Sequence, residues 1–241
     1  MKKFYKLVSV HQDIGGWAVH LDGRPVKTPL KKTLLAPTEA LAASIQEEWA
    51  AQDETIDPET MPLTQILSTQ IDRVSAQRDA MSAELLKFLD TDLICYRAPK
   101  DQPAGQAERQ AESWDPWLTW FENECGCALQ TTTDLAALKQ PEAAHSAVKE
   151  KVEALDDARF TALQLVVPLS GSLVLGLAFV EGTITPQEIY NAARVEEQFK
   201  DEIYNAEFYG RDPLSEKKDA AMLRDLEAAA QFLKLLYSIS A

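Results

Sequence analysis

The sequence predicts an α+β chain, a small β-rich N-terminal α/β domain followed by a larger all-helical domain. Three observations carry this expectation. Residues 4–35 are rich in β-branched and aromatic side chains and are cut by Gly15-Gly16 and Asp22-Gly23, the pattern of short strands and tight turns. From Thr60 onward, apolar residues recur three and four apart, the period of helices with one buried face. Between the two lies Thr38–Gln52, where Leu41, Ile45 and Trp49 fall four residues apart and so share one helical face. The division is placed after residue 59, giving a sheet-plus-helix domain over 1–59 and a helical domain over 60–241.

Taken in order, Phe4–Val10 reads as a first strand and the alternating Trp17–Leu21 as a second. Asp22-Gly23 is a two-residue hairpin turn with both residues at positive φ. Arg24-Pro25-Val26 returns from it as a short strand that Pro25 confines to an edge, and Thr33–Leu35 adds a fourth. A sheet this small needs a covering helix. Thr38–Gln52 supplies it, with the Thr38 hydroxyl capping its first free amides.

Thr60 and Pro62 open the next helix, which carries Leu63, Ile66, Leu67 and Val74. Leu85, Leu86 and Leu89 prolong the pattern until Asp90-Thr91-Asp92 interrupts it, and residues 100–105 form a loop by composition. Asp115-Pro116 marks a helix start among Trp114, Trp117 and Trp120; Gly126 ends that helix, and residues 127–132 are a short extended piece. Pro141–Leu155 reads as a charged surface helix, and Asp156–Val180 holds one buried helix. Thr185-Pro186-Gln187-Glu188 is a capping box with proline at the first helical position, opening a helix with Ile189, Ala193, Phe199 and Ile203. A last helix spans Ser215–Tyr237, with Leu223, Leu226, Phe232, Leu233 and Leu236 facing inward.

Composition narrows the function. A net charge of −14 and a pI near 4.7 argue against nucleic acid and anionic membrane as partners. The N-terminus has charge but no apolar stretch after it, so no signal peptide is expected. The apolar run Leu165–Val180 is too short and too interrupted by Pro168 and Ser170-Gly171-Ser172 to span a bilayer; it is expected at the centre of the fold. Cys95, Cys125 and Cys127 are an odd number with no zinc spacing and read as reduced thiols.

Catalytic signatures are absent from the residues. No glycine is followed by lysine as in a P-loop, and there is no G-x-G-x-x-G, H-E-x-x-H or G-x-S-x-G. His11, His20 and His145 have no partner in sequence that would complete a metal site, so no metal and no cofactor is expected. Ser172 reads as a serine inside an apolar helix, bonded to a backbone carbonyl. Asp92, beside Leu93-Ile94, is either a helix cap or a carboxyl with a raised pKa. Paired with Arg73 or Arg97, it makes a small acid–base hydrolase or isomerase the alternative to an interaction protein. Asp72-Arg73 and Arg97 also fit a buried ionic brace with Asp90 and Asp92. Seven acidic residues and no cation lie between Glu39 and Glu59, either a solvated face or a dock for a basic partner. The tryptophan stripe is likewise core or a binding face.

A series of phrases adds a resemblance. Leu21-Asp22-Gly23-Arg24-Pro25-Val26-Lys27-Thr28-Pro29 comes first, then Glu48-Trp49 with Gln52 and Asp57-Pro58, then Met61-Pro62-Leu63-Thr64 and Ile71-Asp72-Arg73. Thr91–Arg97, Trp114-Asp115-Pro116 and Gly171–Ala178 follow in the same order. Together they resemble the assembly chaperone of the F-type ATP synthase catalytic head, the family that holds the free alpha subunit, over nearly the whole chain. The resemblance implies an N-terminal α/β domain and a C-terminal helical domain, no enzymatic activity, no bound nucleotide and no metal. It also implies a bacterial cytoplasmic chaperone with homologues in the mitochondrial matrix, covering the alpha face that later meets beta. After Glu196-Glu197 the chain departs from the family pattern, with Lys200 where a glutamine is usual. Either Tyr204-Asn205 or Tyr209-Gly210 stands for Trp-Gly, and the acidic partner-binding residues implied there are Glu202, Glu207 and Asp212. A stable subunit of a larger complex is the remaining alternative.

Overall fold

Strand β2 (Gly16–Leu21) is the centre of the sheet: it pairs antiparallel with β1 (Val8–Asp13), β3 (Arg24–Pro25) and β4 (Leu35–Ala36). The computed structural model describes residues 1–99, 105–134, 136–204, 210 and 212–237. Val10 faces Val19 in the β1–β2 register, and Ala18, Val19 and Leu21 are buried. The hairpin turn forms as expected, with Asp22 at φ 49° and Gly23 at φ 80°. The Asp22 carboxylate then accepts the amides of Lys6 and Leu7. Those two residues are thereby kept out of the ladder, so the first strand begins at Val8 rather than Phe4.

Helix α1 (Glu39–Ala50) covers the sheet. Its N-cap is Thr38, whose hydroxyl accepts the Leu41 amide, and Leu41, Ala42 and Ile45 are buried. Glu48 reaches across to the start of α2 (Pro62–Thr69), accepting the amides of Leu63 at 2.7 Å and Thr64 at 2.8 Å. A five-residue π turn, Gln70–Val74, separates α2 from α3 (Ser75–Leu86). Asp72 in that turn is buried and accepts the Thr28 hydroxyl at 2.7 Å and the Leu30 amide at 2.9 Å. Two blocks of the resemblance, 27–29 and 71–73, therefore meet through one carboxylate.

By packing, the chain divides into two compact units. The first holds Met1–Arg78, Asp157–Ala162 and the residues from Glu227 onward; the second holds Asp79–Asp156 and Leu163–Leu226. In the first, the Thr38 hydroxyl donates to the Leu235 carbonyl, and Arg78 pairs with Asp157 at 2.6 Å while lying over the Phe160 ring.

Among the described residues the remaining α-helices are α4 (Gln106–Cys125), α5 (Glu142–Ala154), α6 (Asp157–Ser170), α7 (Leu173–Val180), α8 (Pro186–Ala193), α9 (Val195–Ile203) and α10 (Pro213–Tyr237). Several expectations are corrected here. Asp115-Pro116 does not start a helix: α4 begins nine residues before Asp115, and Pro116 lies inside it, leaving the Glu112 carbonyl without its usual amide. Asp156–Val180 is not one helix, because Gly171 adopts φ 69° and Ser172 starts a new one. The Ser172 hydroxyl therefore accepts the Leu175 amide as an N-cap, and it is Ser170 that donates to a carbonyl, that of Val166. The helix opened by the Thr185–Glu188 capping box, which forms as expected, stops at Ala193, with Arg194 between it and α9. On α10, Leu226 and Phe232 are buried, whereas Leu223, Leu233 and Leu236 are half-buried.

Every residue of α7 is buried. Its backbone comes so close to α6 that a Cβ on Gly176 would stand 2.9 Å from Leu163 Cδ1 and 2.5 Å from Val167 Cγ2. Two effects compete in Gly176→Ala. Helix propensity gains about 1 kcal/mol, while overpacking a closed contact costs roughly 1–3 kcal/mol. The neighbours are branched side chains with no solvent to move into, so we expect a net loss. Urea denaturation should show a lower midpoint for Gly176→Ala, and a far larger loss for Leu175→Asp, which buries an unpaired charge; an equally stable Leu175→Asp would remove α7 from the core.

Candidate functional site

The residues implied as partner-binding fall at the junction of α9 and α10. Glu202 sits in the last turn of α9, and its carboxylate meets Arg109 of α4 at 2.7 Å. Asp212 is exposed and caps α10, accepting the Leu214 and Ser215 amides and the Ser215 hydroxyl. Those bonds, the Leu214 amide first, hold its carboxyl below the usual range. Glu207 lies outside the described residues. Beside the two described carboxylates, Ile203, Tyr204 and Leu214 are exposed at 51%, 75% and 60%. Acidic groups next to uncovered apolar side chains make a surface suited to a partner with the opposite charge and its own apolar patch.

Arg109, which holds Glu202, was not foreseen. The two are 93 positions apart, and no spacing rule links them. Nor was Arg194 foreseen, whose guanidinium joins Glu197 at 3.3 Å to the buried Asp219 at 2.9 Å.

Asp92 is fully buried in the second unit. Its two oxygens accept the amides of Ile94 and Val174, so it caps both its own turn and the first turn of α7. The expected ionic brace is not made. Arg97 pairs with Asp115 at 2.9 Å and lies over the Trp114 ring. Asp72 is spent on Thr28 and Leu30, and Arg73 is an exposed residue of the first unit. Asp90 accepts the Gln140 amide and meets His145 Nε2 at 3.0 Å. Asp92 is thus closed to solvent, forms no ion pair among the described residues, and has both oxygens engaged by backbone amides.

The other candidates separate into structural and exposed groups. Trp114 is buried, with its indole N–H donating to the Ala192 carbonyl at 2.8 Å, whereas Trp117 and Trp120 are half-buried. Of the seven acids between Glu39 and Glu59, Glu48 is a helix cap and the other six are exposed. His11 and His20 lie 4.4 Å apart, ring centre to ring centre, and the described residues contain no group of three or more His, Cys, Asp or Glu placed to hold a metal ion.

Comparison with known proteins identifies the family. The profile described as ATP12 chaperone protein matches residues 2–122, or 121 of 241. The chain belongs to the ATP12 chaperone family. That family serves assembly of the F1 ATP synthase. Among solved structures, Atp12 from Paracoccus denitrificans is 39% identical with a TM-score of 0.84, covering 97% of both chains. The Atu1473 protein from Agrobacterium tumefaciens, described as a putative chaperone, is 34% identical with a TM-score of 0.85, covering 98% of this chain and 86% of that one. The mitochondrial protein atp12 of Schizosaccharomyces pombe is 26% identical over 209 residues, covering 83% of this chain and 72% of that protein. The α+β architecture expected from the sequence is the ATP12 fold.

Burial raises the Asp92 carboxyl to about 6, against the opposing pull of the Ser172 hydroxyl and the Val174, Ile94 and Leu173 amides. A carboxyl raised on folding favours the native state most below its unfolded pKa, near 4, and that contribution is lost as pH rises through about 6. Asp92→Asn keeps one acceptor and sets an amide NH₂ against a backbone N–H, so it should lose roughly 1–3 kcal/mol. The stability advantage of wild type over Asp92→Asn should be larger at pH 4.5 than at pH 7.5. Denaturation curves of both proteins at the two pH values check this, and an advantage that grows with pH would reverse the sign.

Proposed function

We propose that this chain is a chaperone of the unassembled alpha subunit of the F-type ATP synthase catalytic head, and that it leaves when a beta subunit arrives. The observation that carries the proposal is membership of the ATP12 family, whose profile matches residues 2–122, together with 39% identity to a solved member over 97% of this chain. An alpha subunit without beta exposes a large interface whose centre is apolar, and such a surface aggregates unless covered. The chaperone is not an enzyme: the buried Asp92 serves as a helix cap. It works in the bacterial cytoplasm, the counterpart of the mitochondrial compartment in which the fission yeast relative is named.

The α9–α10 junction is the contact surface we infer. Glu202, Glu207 and Asp212 supply negative charge, and Ile203, Tyr204 and Leu214 supply apolar area. Exposed carboxylates steer encounter more than they add affinity. Glu202 is tied to Arg109 and Asp212 caps α10, so the test falls on Glu207, whose reversal should slow association and flatten its salt dependence while folding is kept.

Tagged chain co-expressed with alpha and beta should recover alpha without beta. Recovery of the complete enzyme, or of no alpha, would overturn the proposal. With purified alpha, Glu207→Lys should associate about tenfold more slowly at low salt and converge with wild type at high salt. Rates that do not differ at either salt concentration would move the contact to another face, of which the six exposed acids between Glu39 and Glu59 are the next to reverse.

A further inference from the structure

The segment Leu21–Pro29 turns back from β2, and nearly every residue in it has a structural task. Leu21 and Val26 are buried, Asp22 holds the Lys6 and Leu7 amides, Gly23 makes the turn and Thr28 donates to Asp72. Arg24 is different. It is exposed, and among the described residues its guanidinium makes no hydrogen bond or ion pair. Lys27, also exposed, donates to the Thr33 hydroxyl alone among the described residues.

The surroundings of these two cations are unusual for so acidic a chain. Residues 1–36 carry seven Lys and Arg against two Asp, in a protein of net charge −14. None of the seven forms an ion pair with a carboxylate among the described residues. Arg24 and Lys27 stand on a groove of about 600 Å³ within the first unit, walled by Phe4, Tyr5, Pro25 and Trp49. Phe4 is 63% exposed, and Leu7 close by in sequence is 64% exposed. Asp22 also lines the groove, but its carboxylate is held by the Lys6 and Leu7 amides. Two cations with no ion pair among the described residues, beside the exposed Phe4 and the half-buried Trp49, form a two-part recognition surface.

We propose that this groove binds a polypeptide segment in which carboxylate and apolar side chains alternate, the carboxylates on Arg24 and Lys27 and the apolar groups against Phe4 and Trp49. Arginine with an open guanidinium favours the planar carboxylate through two parallel hydrogen bonds. The apolar walls disfavour free phosphate and sugar, which bring nothing to bury. The strongly acidic remainder of the chain repels extended polyanions such as nucleic acid and anionic lipid surfaces, whereas a short segment engages the local patch alone. The groove does not depend on the identity of the chaperone's client.

The test uses the full chain and a fluorescein-labelled octapeptide of alternating Glu and Leu, followed by anisotropy at low salt. Binding should saturate in the micromolar range, weaken at least tenfold in Arg24→Glu/Lys27→Glu, and weaken comparably in Phe4→Ser. Lys149→Glu, a charge reversal on the exposed face of α5, should leave binding within twofold. Replacing Glu by Gln in the peptide, or Leu by Ser, should each weaken it about tenfold. All three protein variants alter exposed side chains, and unchanged melting temperatures confirm that folding is kept. The proposal is overturned if the octapeptide fails to bind, or if the Arg24/Lys27 variant binds it like wild type. It is also overturned if the Gln–Leu peptide binds equally well, or if phosphatidylserine vesicles or a single-stranded oligonucleotide bind more tightly than the octapeptide.

Discussion

The helical part of this protein depends on burying Leu173–Val180 without leaving its first backbone amides bare. All eight residues of α7 are shielded from water, and six of them carry large apolar side chains, each contributing roughly 1.5–3 kcal/mol on burial. The opening turn of such a helix presents amides that find no carbonyl within it, and each left unpaired would cost about 1–3 kcal/mol. Ser172 takes the Leu175 amide and Asp92 takes that of Val174. Asp92 carries a desolvation penalty in doing so, but the apolar gain of the helix it closes is several times larger. A charged-type residue in a dry core is thus architecture here, with no need of a reaction to explain it.

The same use of carboxylates recurs in the first unit. Asp22 fastens the chain before β1, Glu48 closes the start of α2 and Asp72 ties the π turn to Thr28 and Leu30. Each accepts backbone amides that the fold would otherwise leave open. Burial raises the Glu48 carboxyl against its bonds to Thr64 and Leu63, whereas exposed Asp22 is lowered by the Leu7 and Lys6 amides. In a chain of 38 acidic residues, these fixed groups are separable from the solvated ones. Only the solvated ones are free to meet a partner, which is why net charge alone says so little about where recognition occurs.

Local rules made much of the fold legible. Asp22-Gly23 specified its turn, Thr38 its cap and Thr185–Glu188 its capping box, because each is settled within a few residues by backbone geometry. The errors came where tertiary contact outweighed local preference. Pro116 looks like a helix start, yet the buried Gln110 and Trp114 ahead of it extend α4 toward its N-terminus. Ser170-Gly171-Ser172 reads as an interruption of the apolar run within one buried helix, yet the left-handed backbone of Gly171 ends that helix and splits the run in two. Periodicity cannot register either event. The α9–α10 junction was approached through resemblance alone, since Arg109 and Glu202 are brought together only by folding.

The hydrogen bond from Thr38 to Leu235 spans 197 positions and has a consequence for synthesis. The first unit draws on Arg78 with Asp157 and Phe160, and on the chain from Glu227 onward. A ribosome therefore releases the sheet and α1 long before the residues that finish their surroundings exist. Segments that emerge early and wait for distant partners fold slowly and remain exposed to aggregation. The β-rich unit therefore completes its packing late, and a member of an assembly-chaperone family passes through an incompletely assembled state of its own.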